Sequence, residues 1–279
     1  MLNATDGQPV GLGSAQLFLT GSAAVGPLTS VGSRVDLSTH ALTVEGQVSF
    51  DGRSTMSSLL QAPGSGNFGV LDATGGITLA GNLDVEQIGA GGAGSACSPL
   101  PAGSAFTIAS AGGSISGAFA DAPPGATLPT WAGCPRGQGT TTLAKIGYTP
   151  HTVTATIVVA PSLSTVVAAL SGTSKPAGKH ARIGALLKHD GYMTFWPGFA
   201  GLLSVDLTTK AHGKEVLVAV VNASFNGAQQ KTVPVTLTKA GRRLLTQATE
   251  LSVRAVSVFE PAWNPLVAPS VHQTFTLKR

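Results

Sequence analysis

Two carboxylates, Asp84 and Glu86, stand two positions apart in an alternating stretch. An extended backbone puts both on one face, about 7 Å apart, a spacing that suits the acid–base pair of a glycoside-cleaving site. Such a groove gathers further acids and bases. Here the nearest other acid in the sequence is Asp72, and no Lys or Arg occurs from residue 54 to 135. The pair therefore reads as a solvated strand face, with a polysaccharide lyase or glycoside hydrolase as the alternative. Gly89-Ala90-Gly91-Gly92-Ala93-Gly94 matches the spacing of a dinucleotide loop. That chemistry needs a helix N-terminus behind the glycines. Pro99 and Pro101 follow instead, so the segment reads as a loop and no cofactor is expected. No serine occupies a nucleophile elbow.

Other chemically competent side chains are scattered. His180 and His189 are nine residues apart on one helical stretch, which at 100° per residue puts them on opposite faces. His40, His151, His212 and His272 read as surface residues, and no metal site is expected. Cys97 and Cys134 lie in Gly/Pro-rich loops. A disulfide between them would stabilise the fold by roughly 3–4 kcal/mol, whereas a reactive thiol needs a basic neighbourhood that Arg136 alone does not supply. Trp131, Trp196 and Trp263 fall near loops, as platforms for stacking on sugars or as anchors folded onto the core. Lys179, Arg182 and Lys188 accompany one predicted helix, and Lys239, Arg242 and Arg243 another. They are candidates for holding an anionic polymer or a membrane surface, or a solvated face that keeps the chain soluble. Few aromatics interleave them, so nucleic acid is not expected.

The elements that would carry these residues are short strands. The 279 residues include 36 Gly, only 11% are charged and 43% are hydrophobic, the balance of an all-β protein with many turns. In Leu42–Phe50 every apolar residue is even and every polar side chain odd, and Ile77, Leu79, Leu83 and Val85 repeat the pattern. Leu17/Leu19, Val31/Val35, Phe106/Ile108, Ile115/Phe119 and Val153/Ala155/Ile157 continue it. No helix is expected before residue 175. Beyond it, Ile183, Leu186 and Leu187 sit at helical spacing within 177–190, and Thr238 is placed to cap a helix running to Ala248. Strands flank these at 203–207, 216–221, 233–237, 251–253 and 275–277. Charge changes near Pro161: residues 1–160 hold four basic groups and eight acids, residues 161–279 thirteen and five. Two domains, 1–160 and 161–279, follow. No stretch approaches the roughly 20 apolar residues of a membrane-spanning helix. Met1–Asp6 lacks the basic and apolar regions of a signal peptide.

Two resemblances rest on particular phrases. Gly76–Val85, Pro101–Ile108, Gly113–Phe119, Ile146–Pro150 and Val153–Ile157 come in an order similar to the C-terminal end of the β-solenoid of autotransporter-like bacterial surface proteins. Ile183–Lys188, Leu237-Thr238-Lys239-Ala240-Gly241-Arg242-Arg243-Leu244-Leu245 and the closing Thr274–Arg279 resemble the immunoglobulin-like terminal β-sandwich of actinobacterial surface proteins. The resemblances imply an all-β fold, solenoid rungs followed by a sandwich with two short helices. They imply a non-enzymatic, structural or adhesive part of a secreted cell-surface protein, with polysaccharide binding or cleavage as the alternative. Because a bare terminal rung exposes strand edges, the chain is expected to be a fragment, with upstream rungs and an export signal in a parent chain. Cell-wall or host polysaccharide is the expected partner.

Overall fold

The computed structural model describes residues 8–63, 66–88, 100–130, 142–173, 182–189, 192–195, 199–211, 213–226, 231–264 and 267–279. The chain divides into two compact units, Met1–Ala160 and Pro161–Arg279, and is mostly β.

In the first unit each coil of chain lays down three short strands. The first coil gives β1 (Val10–Gly13), β2 (Gln16–Phe18) and β3 (Ala23–Val25), and the second β4 (Leu28–Val31), β5 (Arg34–Asp36) and β6 (Ala41–Val44). The third gives β7 (Val48–Phe50), β8 (Thr55–Leu60) and β9 (Val70–Ala73), and the fourth β10 (Ile77–Leu79), β11 (Asn82–Gln87) and β12 (Ala105–Ala111). Then come β13 (Ile115–Gly117), β14 (Thr127–Pro129), β15 (Thr142–Tyr148) and β16 (Thr152–Val159). A strand pairs with the strand three places further on. One sheet stacks β1, β4, β7, β10 and β13, a second β2, β5, β8 and β11, and a third runs β3, β6, β9, β12. These pairings are all parallel.

Inward side chains therefore stack in columns. Val10, Leu28, Val48, Ile77 and Ile115 occupy one register position of the first sheet. Leu17, Val35, Met56 and Leu83 do so in the second. The alternation in Leu42–Phe50 spans two strands in different sheets, β6 and β7, and that in Ile77–Val85 spans β10 and β11. Val44 and Val48 face inward on either side of one corner, and Leu79 and Leu83 on either side of the other, so the pattern runs through the bend and hides it. Parity also corrects one expectation: with Leu28 and Ser30 buried, Val31 points out and is exposed.

The corners are held by polar groups. Gly81 turns at φ +77°, and a Cβ there would lie 2.1 Å from Ser54 O. Asp51 Oδ1 accepts from Gly32 N (2.9 Å), Arg53 N (3.1 Å) and Ser54 Oγ (2.6 Å), and Ser30 Oγ donates to Ser54 Oγ (3.0 Å). The two ends of the stack differ. At one, β16 adds antiparallel to β12, followed by β15 and β14. Tyr148 pins this hairpin, its hydroxyl donating to Ala122 O (2.7 Å) and accepting from Phe119 N (3.3 Å); burial pushes the phenol up to about 12. At the other end no described strand covers the outer edges of β1, β2 and β3. A hollow of about 240 Å³ opens there between inward residues including Val10, Leu17, Val25 and Leu28.

The second unit starts with α1 (Leu163–Thr173) and α2 (Ile183–His189). The first of these is absent from the sequence reading, which places no helix before residue 175. Val166 and Leu170, one turn apart, are its buried residues, and Thr165 N donates to Ser162 Oγ at its start (3.3 Å). The β-branched, serine-rich run masks that short stripe. Next come β17 (Tyr192–Phe195), β18 (Ala200–Ala211), β19 (Lys214–Asn226), β20 (Lys231–Pro234), β21 (Thr236–Leu237), α3 (Lys239–Gln247), β22 (Glu250–Pro261) and β23 (Ser270–Lys278). An antiparallel sheet runs β21-β19-β18-β22-β23, and β17 pairs with β20 in a separate ribbon. Helix α1 packs on β22 and β23, α3 on β19 and on α2.

Thr238 caps α3 as its sequence position predicts. Its Oγ1 accepts from Gly241 N (2.9 Å) and donates to Leu217 O (2.6 Å). Gly241 lies directly on the strand beneath, where a Cβ would meet Val218 O at 1.9 Å. Helix propensity alone would make Gly241→Ala a gain of about 1 kcal/mol. The close approach reverses the sign: chemical denaturation is expected to find Gly241→Ala less stable than the parent chain, and a gain would contradict this seating. Gly81→Ala is expected to cost stability as well, through its positive φ, about 1–2 kcal/mol, and its contact with Ser54 O.

Candidate functional site

The outward face of the second sheet carries a cluster of charges that includes both described ion pairs. Arg34 on β5 donates through Nη2 to Asp84 Oδ2 on β11 (2.8 Å) and to Ser57 Oγ on β8 (2.9 Å). Its Nε lies 3.6 Å from Asp36 Oδ2. Parallel register brings them together, because Asp36 pairs with Ser57 and Ser57 with Asp84. Burial opposes the guanidinium charge, but Asp84 and Asp36 outweigh it and hold the Arg34 pKa above its ordinary value. Asp84 and Glu86 do share a face, as the sequence suggests. The sequence neighbourhood offers no base, yet Arg34 arrives from two coils earlier. Asp84 thus belongs to an ion pair that ties three coils. Both partners are partly exposed, so the tie contributes at most about 1 kcal/mol.

Two further carboxylates answer to their surroundings. Asp121 Oδ1 accepts from Leu83 N (2.9 Å), yet burial, with a smaller contribution from Asp84, raises its pKa above the usual carboxylate value. The hydrogen bonds from Gly32 N and Ser54 Oγ hold Asp51 below it. Buried Gln87 is a polar hub. Its Nε2 donates to Thr130 Oγ1 and to Thr142 Oγ1 (2.8 Å), and its Oε1 accepts from Leu100 N (2.8 Å). Residues that flank segments 89–99 and 131–141 thus meet on one side chain.

Of the tryptophans, Trp263 is buried, 3% exposed, and packs edge-on against Phe199 at 5.6 Å. That removes it as a stacking platform: the indole is folded onto the core. Trp131, Trp196, Cys97, Cys134, Lys179, His180, His212 and the Gly89–Gly94 run lie outside the described residues. His151 Nδ1 contacts Gly113 O (2.6 Å), and Arg254 Nη2 donates to His272 Nδ1 (3.2 Å). No group of three or more His, Cys, Asp or Glu among the described residues is arranged to hold a metal ion.

The basic candidates do converge. Arg182, Lys188, Lys239, Arg242 and Arg243 are all exposed on or beside α2 and α3. The sequence reading missed Lys278 and Arg279. Arg182 bridges to Lys278 beside β23, and Arg279 Nη2 donates to Thr246 O on α3 (2.9 Å). A separate shallow concavity of about 410 Å³ lies on the large sheet, around Leu202, Ser204, Asn222, Ser224 and Glu260.

Comparison with known protein families, curated proteins and solved structures yields no match for this chain. No helix among the described residues is long and apolar enough to cross a membrane.

The carboxylates generate a pH test. Asp121, with its raised pKa, favours the folded state only while protonated; that contribution is present below the unfolded carboxylate pKa of about 4 and lost as pH rises through the folded value. Asp121→Asn keeps the acceptor for Leu83 N, so it is expected to raise the melting temperature at neutral pH and to lose that advantage near pH 3. Asp51 behaves oppositely. Its contribution is present above the unfolded pKa and lost as pH falls through the folded one, so Asp51→Asn is expected to cost stability at neutral pH and little in acid. Thermal melts across this range check both signs.

Proposed function

We propose that the first unit is the C-terminal end of a bacterial surface β-solenoid and the second an immunoglobulin-like terminal domain, together a non-enzymatic, structural and adhesive element of a secreted protein. The observation that carries this reading is the three-sheet stack with unlike ends. An antiparallel hairpin finishes the stack on one side, while on the other the parallel edges that no described strand covers and an apolar hollow have the geometry to receive a further coil. The upstream rungs expected from the sequence would supply it. The five-stranded antiparallel sheet and the β17–β20 ribbon support the immunoglobulin-like assignment. Engagement of Asp84 by Arg34 counts against an acid–base role in polysaccharide cleavage.

A Cys97–Cys134 disulfide is part of the proposal. Its support is that the described residues flanking both cysteine segments meet on Gln87. Peptide mass mapping with and without reductant tests it, and two free thiols in secreted material would exclude it.

Truncation tests the stack. Deleting residues 1–26 removes one coil and uncovers an equivalent edge on β4, β5 and β6. The remainder is expected to keep its β-sheet circular dichroism and to melt a few degrees lower. Deleting residues 142–160 removes the finishing hairpin and is expected to leave the first unit unfolded or aggregated. Collapse on loss of the first coil, with tolerance of the hairpin deletion, would contradict the proposal.

A further inference from the structure

We infer that the cationic end of the second unit is a docking surface for an acidic polysaccharide. Seven cations meet there from three segments: Arg182 and Lys188 at α2, Lys239, Arg242 and Arg243 on α3, and Lys278 at the end of β23 with Arg279 just beyond it. Three contacts hold the segments together. Arg182 bridges to Lys278, Arg242 Nη1 donates to Leu187 O (3.3 Å), and Arg279 Nη2 donates to Thr246 O. The backbone of Arg279 is tied too, its N donating to Thr249 O (3.0 Å). Helix α3 has no acidic residue in its first turn, so its dipole adds to the positive potential. Among the described residues, Arg182, Lys188, Lys239, Arg243, Lys278 and Arg279 form no ion pair. Glu250, opposite Lys278 in the ladder, is an acid close by. These six have no ion-pair partner among the described residues, and Gly241, pressed onto Val218, fixes the helix that carries three of the seven cations.

The chemistry selects the occupant. The surface is open, with a shallow concavity of about 360 Å³ bounded by Lys239, Arg242, Arg243, Thr246 and Gln247. An exposed ion pair contributes at most about 1 kcal/mol, so a single small anion would escape, and retention requires a ligand presenting many charges at once. Thr246 and Gln247 add neutral hydrogen-bonding groups among the cations, which suits sugar hydroxyls between carboxylates. Helix α3 exposes no large apolar side chain, unlike a helix that enters a lipid interface. Its nine residues span only about 14 Å, and the cations are spread over three segments instead of following one groove-filling helix.

This surface is built from residues of the second unit alone, so its failure would leave the solenoid reading of the first intact. The test uses the full chain with polygalacturonate as probe, followed by isothermal titration calorimetry. Binding is expected in about 0.05 M salt and to be lost in about 0.5 M, where exposed charges are screened. It is also expected to be lost near pH 3, where the uronates are protonated and the protein's cations are not. The double variant Lys239→Glu, Arg243→Glu changes two exposed side chains and is expected to weaken binding at least about tenfold with an unchanged melting temperature. Binding that is absent, salt-insensitive or unaffected by the variant would overturn the proposal. So would equal binding to neutral dextran, or tighter binding to anionic vesicles or duplex DNA.

Discussion

A parallel strand cannot satisfy its main chain with its neighbour in sequence. It needs a partner brought back by a long excursion, and the first unit meets that requirement by coiling. Strands three places apart bond in register, so the hydrogen-bond ladder runs along the stack and crosses every coil. Several features follow. Inward residues fall into columns, which is why Val10, Leu28, Val48, Ile77 and Ile115 need only be apolar. Outward residues fall into columns as well, which lets Arg34 reach Asp84 although 50 positions separate them. The corners must be narrow, because each coil's turn lies against the next. Gly81, close over Ser54 O, meets that limit where a side chain would not fit.

Stacking also requires an ending. A coil with nothing beyond it leaves unpaired N–H and C=O groups and open core. On one side the chain resolves this by reversing direction: β16 and β15 turn the parallel ladder antiparallel, and Tyr148 locks the reversal by bonding to Phe119 and Ala122. Reversal suits an end because the hairpin closes on itself over a short connection. The second unit follows a different rule. Its strands pair mostly through antiparallel neighbours, and helices cover the sheet.

In–out parity was largely legible in the sequence, because side chains alternate along a regular strand whichever sheet it joins; Val31 and the consecutive buried residues of β8 and β12 are the exceptions. Corners were not, since Val44/Val48 and Leu79/Leu83 keep parity across the bend. Pairing partners were hidden for the same reason: alternation says which face a residue takes and nothing of which strand lies beside it. Coils of unequal length then concealed the Arg34–Asp84 pair. Thr238 and α3 could be read because a cap is a local interaction, whereas α1 escaped behind β-branched residues. The basic cluster was half visible. Helical spacing groups Lys239, Arg242 and Arg243, but Lys278 joins through the β23 ladder and its bridge to Arg182, and Arg279 through hydrogen bonds to Thr246 and Thr249, none of them legible in sequence spacing. For Trp263 the sequence offers a sugar platform and a core anchor side by side, because loop context does not report burial, and the buried indole is the anchor.

The first unit is a coil stack that a hairpin finishes at one end and that no described strand covers at the other. Site-resolved amide hydrogen exchange of the intact chain tests it most directly. Protection is expected to be weakest in β1, β2 and β3, to rise through the second and third coils, and to remain high through β12, β16 and β15. Strongest protection in the first coil, or weak protection in the β15–β16 hairpin, would contradict it.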